Sequence, residues 1–182
     1  MKILVISDSH GSYEKIKGEL REPIDALVVL GDIDYYELRK MDQDFSCPKF
    51  GVLGNHDSVD YFEGTSIVSV HREIIEFGDK KIAGFGGCPR YNRRMFGQYH
   101  EEDVKLFTKS ISKIDLFIAH SNPMLETSWD ESDPHRGFMA FTDMMKEADV
   151  AHFIHGHIHQ PKEYMLDKTH VYSVYPYKII HI

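Results

Sequence analysis

The chain has 182 residues, 42% of them hydrophobic and 27% charged, which fits a globular protein with a sizeable core in one domain spanning 1–182. Its formal charge of -8 argues against a broad, nonspecific grip on nucleic acid, because phosphate backbones are held by many Lys and Arg contacts. No run approaches the roughly 18 uninterrupted apolar residues of a membrane span, and no cleavage site follows Met1, so a cytoplasmic protein without a membrane partner is expected.

In chain order, Lys2 to Ser7 is a continuous apolar run of strand length that empties into the turn formers DSHGS. Ser12 is placed to cap a helix from about Tyr13 to Leu20, where Ile16 and Leu20 share a face, and Pro23 follows its end. Asp25 to Leu30 repeats the pattern, a strand followed by GDIDYY, with a helix over about Tyr36 to Asp42. Lys49 to Leu53 repeats it again and is followed by GNHDS. Three buried strands separated by helices describe a parallel α/β half-domain, in which ligands collect at the carboxyl ends of the strands.

The texture then changes. Ile74 to Phe77 and Lys81 to Phe85, joined by Gly78-Asp79, predict an antiparallel hairpin. The basic and aromatic stretch Pro89 to Tyr99 carries no regular pattern. Glu101 to Ile111 reads as a helix with acids in its first turn, where the helix dipole favours them. Asp115 to Ala119 is a strand ending in His120; a polar loop leads to a helix from about Phe138 to Glu147; Ala151 to His155 is a strand ending in GHIH. Short strands, including Val171 to Val174 and Lys178 to Ile182, close the chain.

Collected in order, the polar groups at the strand ends are Asp8 and His10, Asp32, Asn55 and His56, His120, and His157 and His159. Two carboxylates, one carboxamide oxygen and four imidazoles from this set suffice to surround two divalent ions, leaving His56 over. Oxygen and nitrogen donors without a thiolate suit Mn²⁺, Fe, Zn²⁺ or Ni²⁺ better than Mg²⁺ alone. A carboxylate can bridge two cations about 3.5 to 4 Å apart, and Asp32 is chosen for that role. On an extended backbone, the alternations Asp8-Ser9-His10 and His157-Ile158-His159 point both outer side chains to one side. The two cysteines, Cys47 and Cys88, are too few for a thiolate cluster and are read as small buried side chains, with a single bridge as the alternative.

At these blocks the sequence resembles the calcineurin-like metallophosphoesterases, whose pattern D-x-H, G-D-x-x-D, G-N-H-D/E, H and G-H-x-H stands here as DSH, GDIDY, GNHD, the His of AHSNP, and GHIH. The resemblance implies a four-layer α/β/β/α sandwich of two mixed sheets flanked by helices. It implies that Asp8, His10, Asp32 and His159 hold one metal, Mn²⁺ first among the candidates, and that Asp32, Asn55, His120 and His157 hold the second. His56 is then poised over the leaving group. One position departs: the last carboxylate of the second block, which can orient the GNHD histidine, is Tyr35 here, leaving Asp34, Asp57 or Tyr35 to take that part. Asp57 has a competing reading as the cap of a following short helix.

The expected reaction is hydrolysis of a small phosphorylated substrate, a phosphodiester before a phosphomonoester. In it a metal-bridging hydroxide attacks in line and His56 serves as acid to the departing oxygen. His135, Arg136 and Arg90 are the candidate substrate contacts, with Arg93 and Arg94 as further candidate phosphate binders. Tyr91, Phe96, Trp129 and Phe138 are candidates to stack on a base. Of the unassigned histidines, His155 is expected in the core or behind the ligands, and His71, His100, His152, His170 and His181 at the surface. The rivals are a phosphomonoesterase acting on proteins or nucleotides, a nuclease subunit, and a binding scaffold, which would have lost metal ligands.

Overall fold

The computed structural model describes residues 1–20, 22–125, 130 and 132–182. In chain order the elements are β1 (Lys2–Ile6), α1 (Tyr13–Glu19), β2 (Ala26–Val29), α2 (Tyr35–Asp44), β3 (Lys49–Gly51), β4 (Val68–Ser69), β5 (Ile74–Phe77) and β6 (Lys80–Phe85). There follow β7 (Cys88–Pro89), β8 (Gln98–Tyr99), α3 (Glu101–Thr108), β9 (Lys113–Ala119), a 3₁₀ turn (Pro134–Arg136), α4 (Met139–Glu147), β10 (Asp149–His155), β11 (Lys162–Leu166), β12 (Thr169–Ser173) and β13 (Tyr177–His181). One sheet runs β13-β1-β2-β3-β4, the other β11-β12-β10-β9-β6-β5, and β7 pairs with β8 alone. The strands are parallel except β13, β11 and β5, each an antiparallel edge.

The period-2 alternation of the strands explains the layering. In β1, Ile3 and Val5 face one way and Leu4 and Ile6 the other; Val28 and Leu27 divide in the same manner in β2. Leu4, Ile6, Leu27 and Val29 pack under α1 and α2 against Tyr13, Ile16, Leu38 and Met41. Ile3, Val5 and Val28 instead meet Ile82, Leu116, Ile118 and Ile154 of the second sheet. That sheet turns Ala83, Phe85, Phe117 and Phe153 outward against Val104, Phe141 and Met145 of α3 and α4. Three apolar layers between four polypeptide layers make the expected α/β/β/α sandwich, and burial on both faces is why these strands read as continuous apolar runs.

Local details differ from expectation where a tertiary partner competes. Ser12 stands at the start of α1, but its hydroxyl donates to the Ser9 carbonyl, and the Tyr13 amide donates to Glu37 Oε1 at 2.9 Å instead. Helix α3 ends at Thr108, three residues early, in turns where the Ser110 and Ile111 amides donate to the Phe107 and Thr108 carbonyls. Within Pro89 to Tyr99, expected to be irregular, Pro89 pairs with Tyr99 as Cys88 pairs with Gln98 in a short parallel ladder. Cys47 and Cys88 are both free thiols. No helix among the described residues is long and apolar enough to cross a membrane.

Candidate metal centre

Every strand-end group singled out in the sequence lies beyond the carboxyl end of a parallel strand: β1, β2 and β3 in one sheet, β9 and β10 in the other. Parallel pairing puts the ends in each sheet on one rim, where backbone bonds tie neighbouring strands within each sheet and, through Gly87 and Leu53, one sheet to the other. The Asp8 amide donates to the Gly31 carbonyl at 3.1 Å, the Gly156 amide to His120 at 3.0 Å, and the Gly87 amide to Leu53 at 2.8 Å.

Two groups of side chains converge on the rim. Asp8, His10 and His159 offer ligand atoms within 4.8 Å of one another, and so do Asp32, His120 and His157. In the first, His159 Nε2 is 3.1 Å from Asp8 Oδ1 and 3.4 Å from His10 Nε2. In the second, His120 Nε2 is 3.0 Å from Asn55 Oδ1 and 3.4 Å from Asp32 Oδ2, which adds Asn55 to the set. The groups are joined by the His157 amide, which donates to Asp8 Oδ2 at 2.9 Å.

The backbone bends sharply to achieve this. Asp8 (φ 50), His10 (φ 44), Asp32 (φ 51), His157 (φ 69) and His159 (φ 51) are all left-handed, a conformation that costs a residue with a Cβ about 1–2 kcal/mol. The D-x-H and H-x-H segments are therefore not extended, contrary to expectation. Tight turns, rather than simple alternation, aim their outer side chains inward. Gly54 and Gly156 supply the clearance: a Cβ on Gly54 would lie 2.0 Å from Asp32 Oδ1, and one on Gly156 would lie 1.8 Å from Ser7 Oγ.

The donor set fits cations. His120 Nδ1 lies 2.7 Å from the Leu30 carbonyl and His157 Nε2 lies 2.9 Å from the Pro134 carbonyl; each nitrogen must carry the proton, so His120 Nε2 and His157 Nδ1 keep their lone pairs. His120 Nε2 faces an amide oxygen and a carboxylate oxygen, so its lone pair points at acceptors unless something positive sits between them. In the metal-free chain a proton serves. Burial opposes charge on both Asp32 and His120, yet each outweighs it for the other: the Asp32 carboxyl is held below the usual carboxylate range and the His120 imidazole above the usual histidine range.

The calcineurin-like phosphoesterase superfamily domain matches the sequence over residues 1–176. The chain belongs to that superfamily. Its fold is also that of the protein TT1561 of Thermus thermophilus, with a TM-score of 0.65 at 15% identity over 94% of this chain and 88% of that one. The phosphopantetheinyl hydrolase PptH of Mycobacterium tuberculosis aligns with a TM-score of 0.62 at 16% identity, over 95% of this chain and 89% of that one. A dimetal phosphatase from Danio rerio gives 0.58 at 11% identity, over 95% and 86%. No curated protein matches the sequence. Members of the calcineurin-like superfamily are phosphoester hydrolases that depend on two metal ions, and the two side-chain groups on the rim are candidates to hold them.

Beside the superfamily's motif positions, the structure resolves the uncertain residues. His56 is exposed at the rim; its amide donates to Asp32 Oδ1 at 2.8 Å, and among the described residues no side chain bonds its imidazole. Asp34 caps α2 through the Tyr36 and Glu37 amides at 2.9 and 3.3 Å, and the Tyr35 hydroxyl accepts from Arg39 at 2.6 Å. Asp57 turns inward to accept from the Gly54 and Asp32 amides at 2.7 and 3.0 Å, bracing the candidate ligands from behind rather than capping a helix. None of the three orients the His56 ring.

His135 packs on His157 with ring centroids 4.7 Å apart, next to the centre. Arg90 and Arg136 line a groove of about 550 Å³ with Tyr91, Asn92, His100 and Ser132, a groove that includes none of the candidate ligands. There Arg136 donates to the Arg90 carbonyl at 2.9 Å. Phe138 is 1% exposed and so cannot stack on a base, and Trp129 lies outside the described residues. His71 is not a surface residue, since it accepts from the Gly86 amide at 2.9 Å and packs on Phe85. Sequence reasoning missed Glu37, whose carboxylate accepts from the Ser9 hydroxyl and from the Tyr13 amide and so shapes the loop carrying His10. Its only signal was an acid in the first turn of α2.

Three uncharged imidazoles, those of His155 and His157 buried and that of His71 half-buried, give the metal-free protein a defined response to acid. Burial pushes His157 down to about 3, and His155 and His71 to about 4, from an ordinary 6.5. The unfolded chain therefore binds these protons first, and their contribution to stability, full above about pH 6.5, is lost as pH falls toward the folded values. Asp57 acts in the opposite sense: burial and the charge of Asp32 push it up to about 6, so the folded chain takes that proton first. Three groups against one leave a loss of about 3 kcal/mol per pH unit between about pH 6 and pH 4.5. Urea unfolding in chelator at stepped pH measures it; a flat profile over that interval would mean that these rings are not buried uncharged.

Proposed function

We propose that the protein is a dinuclear metal-dependent phosphodiesterase acting on a small phosphorylated molecule. The observation that carries this reading is the convergence of Asp8, His10 and His159 on one side and Asp32, Asn55, His120 and His157 on the other, from five strand ends in two sheets. In this reading Asp32 bridges the two sites, and Mn²⁺ is the first candidate, with Fe, Zn²⁺ or Ni²⁺ compatible with the same donors. Bound there, two such ions supply Lewis acidity and a water of lowered pKa.

The chain's own residues supply the rest. The Leu30 and Pro134 carbonyls hold His120 and His157 in the tautomers that leave a lone pair facing inward. Asp57 holds the Gly54 and Asp32 amides, so that the loop bearing Asn55 and His56 stays beside the Asp32 carboxylate. His56, open to solvent, would pass a proton to the departing oxygen, a contribution of roughly 10² to 10⁴ in rate.

A diester is supported over a monoester by the placement of cationic side chains. A monoester brings a second negative charge to the rim, yet Arg94 donates to the Asn55 and Asp57 carbonyls and Arg136 to the Arg90 and Asp133 carbonyls. Assays of bis- and mono-nitrophenyl phosphate in parallel, with Mn²⁺ present, test this. The expected result is a kcat/KM about tenfold or more in favour of the diester, in line with one charge-assisted contact missing for the monoester. The reverse order would make the protein a phosphomonoesterase.

A further inference from the structure

We infer that Arg94 is the positioning residue for His56, doing through the backbone what a side-chain carboxylate would do through the imidazole. This rests on the proposed role of His56 as acid to the leaving oxygen.

The three side chains available to orient that ring are committed elsewhere. Asp34 caps α2, the Tyr35 hydroxyl is held by Arg39, and Asp57 points inward to two amides. The peptide units around His56 are nevertheless held on both sides. Arg94 Nη1 donates to the Asn55 carbonyl at 2.8 Å and Nη2 to the Asp57 carbonyl at 3.1 Å, while the His56 amide donates to Asp32 Oδ1 at 2.8 Å. One planar guanidinium thus spans the turn whose apex is His56, a span that a point charge such as an ammonium cannot reproduce.

The loop that presents Arg94 is itself built against the turn. Asn92 Oδ1 accepts from the Arg94 amide and from Gln98 Nε2, both at 2.8 Å, and Gln98 Oε1 accepts from the Tyr91 and Asn92 amides at 3.1 and 3.2 Å. Gln98 is buried, and the Cys88 amide donates to the Gly97 carbonyl at 3.0 Å, closing the loop at its base. At Gly97 (φ 72) a Cβ would come within 2.9 Å of Asn55 Cα, so the loop touches the turn backbone to backbone. The basic stretch that looked like a phosphate binder in the sequence is, at Arg94, a clamp on the catalytic turn.

Two substitutions, Arg94→Gln and Arg94→Lys, are compared with wild type on an alkyl phosphodiester and on bis-nitrophenyl phosphate, alone and in a His56→Ala background. Partners that orient a working side chain are typically worth 10- to 100-fold. Both variants are expected to lose about that factor in kcat on the alkyl ester and less than about threefold on the nitrophenyl ester, and to change neither rate by more than about twofold once His56 is alanine. Equal losses on the two esters, a full loss persisting in the His56→Ala background, no loss at all, or wild-type behaviour of Arg94→Lys would each overturn the assignment. Should Arg94→Gln fail to fold, the lysine variant carries the comparison. A wild-type chain inactive on both esters would overturn the proposed function as well, so the two failures are told apart by the wild-type control.

Discussion

Asp32→Asn is expected to cut bound metal from two ions per chain to one or none and to lower phosphodiester hydrolysis by about 10³-fold or more. Its carboxylate is the charge at the middle of the site: Oδ1 accepts from the His56 amide at 2.8 Å and Oδ2 faces His120 Nε2 at 3.4 Å. Asparagine is nearly isosteric and its amide oxygen can still accept from the His56 backbone, so the β2 end and the GNHD turn should keep their shape. What goes is the negative charge that two cations would share and the partner that holds the His120 imidazole charged in the metal-free chain. Elemental analysis of metal-loaded protein, alongside circular dichroism as a check on folding, decides the matter. Retention of both ions by a folded Asp32→Asn chain would remove Asp32 as the bridge.

His56→Ala should separate chemistry from metal binding. The His56 side chain belongs to neither side-chain group on the rim, and its one structural bond, to Asp32 Oδ1, is made by the backbone amide and survives in alanine. Metal content should therefore be unchanged. Hydrolysis of esters with poor leaving groups should fall by roughly 10² to 10⁴, the range for removal of a positioned general acid, while a nitrophenolate, which departs without a proton, should lose much less. The comparison is made as a plot of log kcat against leaving-group pKa, which should steepen in the variant. Parallel lines for variant and wild type would assign His56 to some other task.

Most of the rim was legible before any coordinates. Strand ends are local features: an apolar run of β-branched residues followed by Gly, Asp or His says where the sheet stops, and parallel strands put their carboxyl ends together, so Asp8, Asp32, Asn55, His120 and His157 could be grouped from order alone. The hairpin of β5 and β6 was equally plain, because its register follows from Gly78-Asp79. Partners that depend on packing were less accessible. Ser12 looked like a cap, but Glu37, on another helix, takes the Tyr13 amide. His71 looked like a surface residue, but it is packed on Phe85 and bonded to the Gly86 amide.

Residue type and spacing were enough to group oxygen and nitrogen donors suited to two cations at the mouth of a parallel α/β sheet, since donor chemistry belongs to the side chain and strand order to hydrophobic periodicity. Tertiary structure alone decided which tautomers His120 and His157 adopt, that Asp57 braces rather than caps, and that Arg94 reaches the carbonyls on both sides of His56 while no carboxylate bonds its ring among the described residues. Those are matters of which groups come within about 3 Å across loops far apart in the chain, and at that range a hydrogen bond made or missed depends on packing that no local pattern encodes.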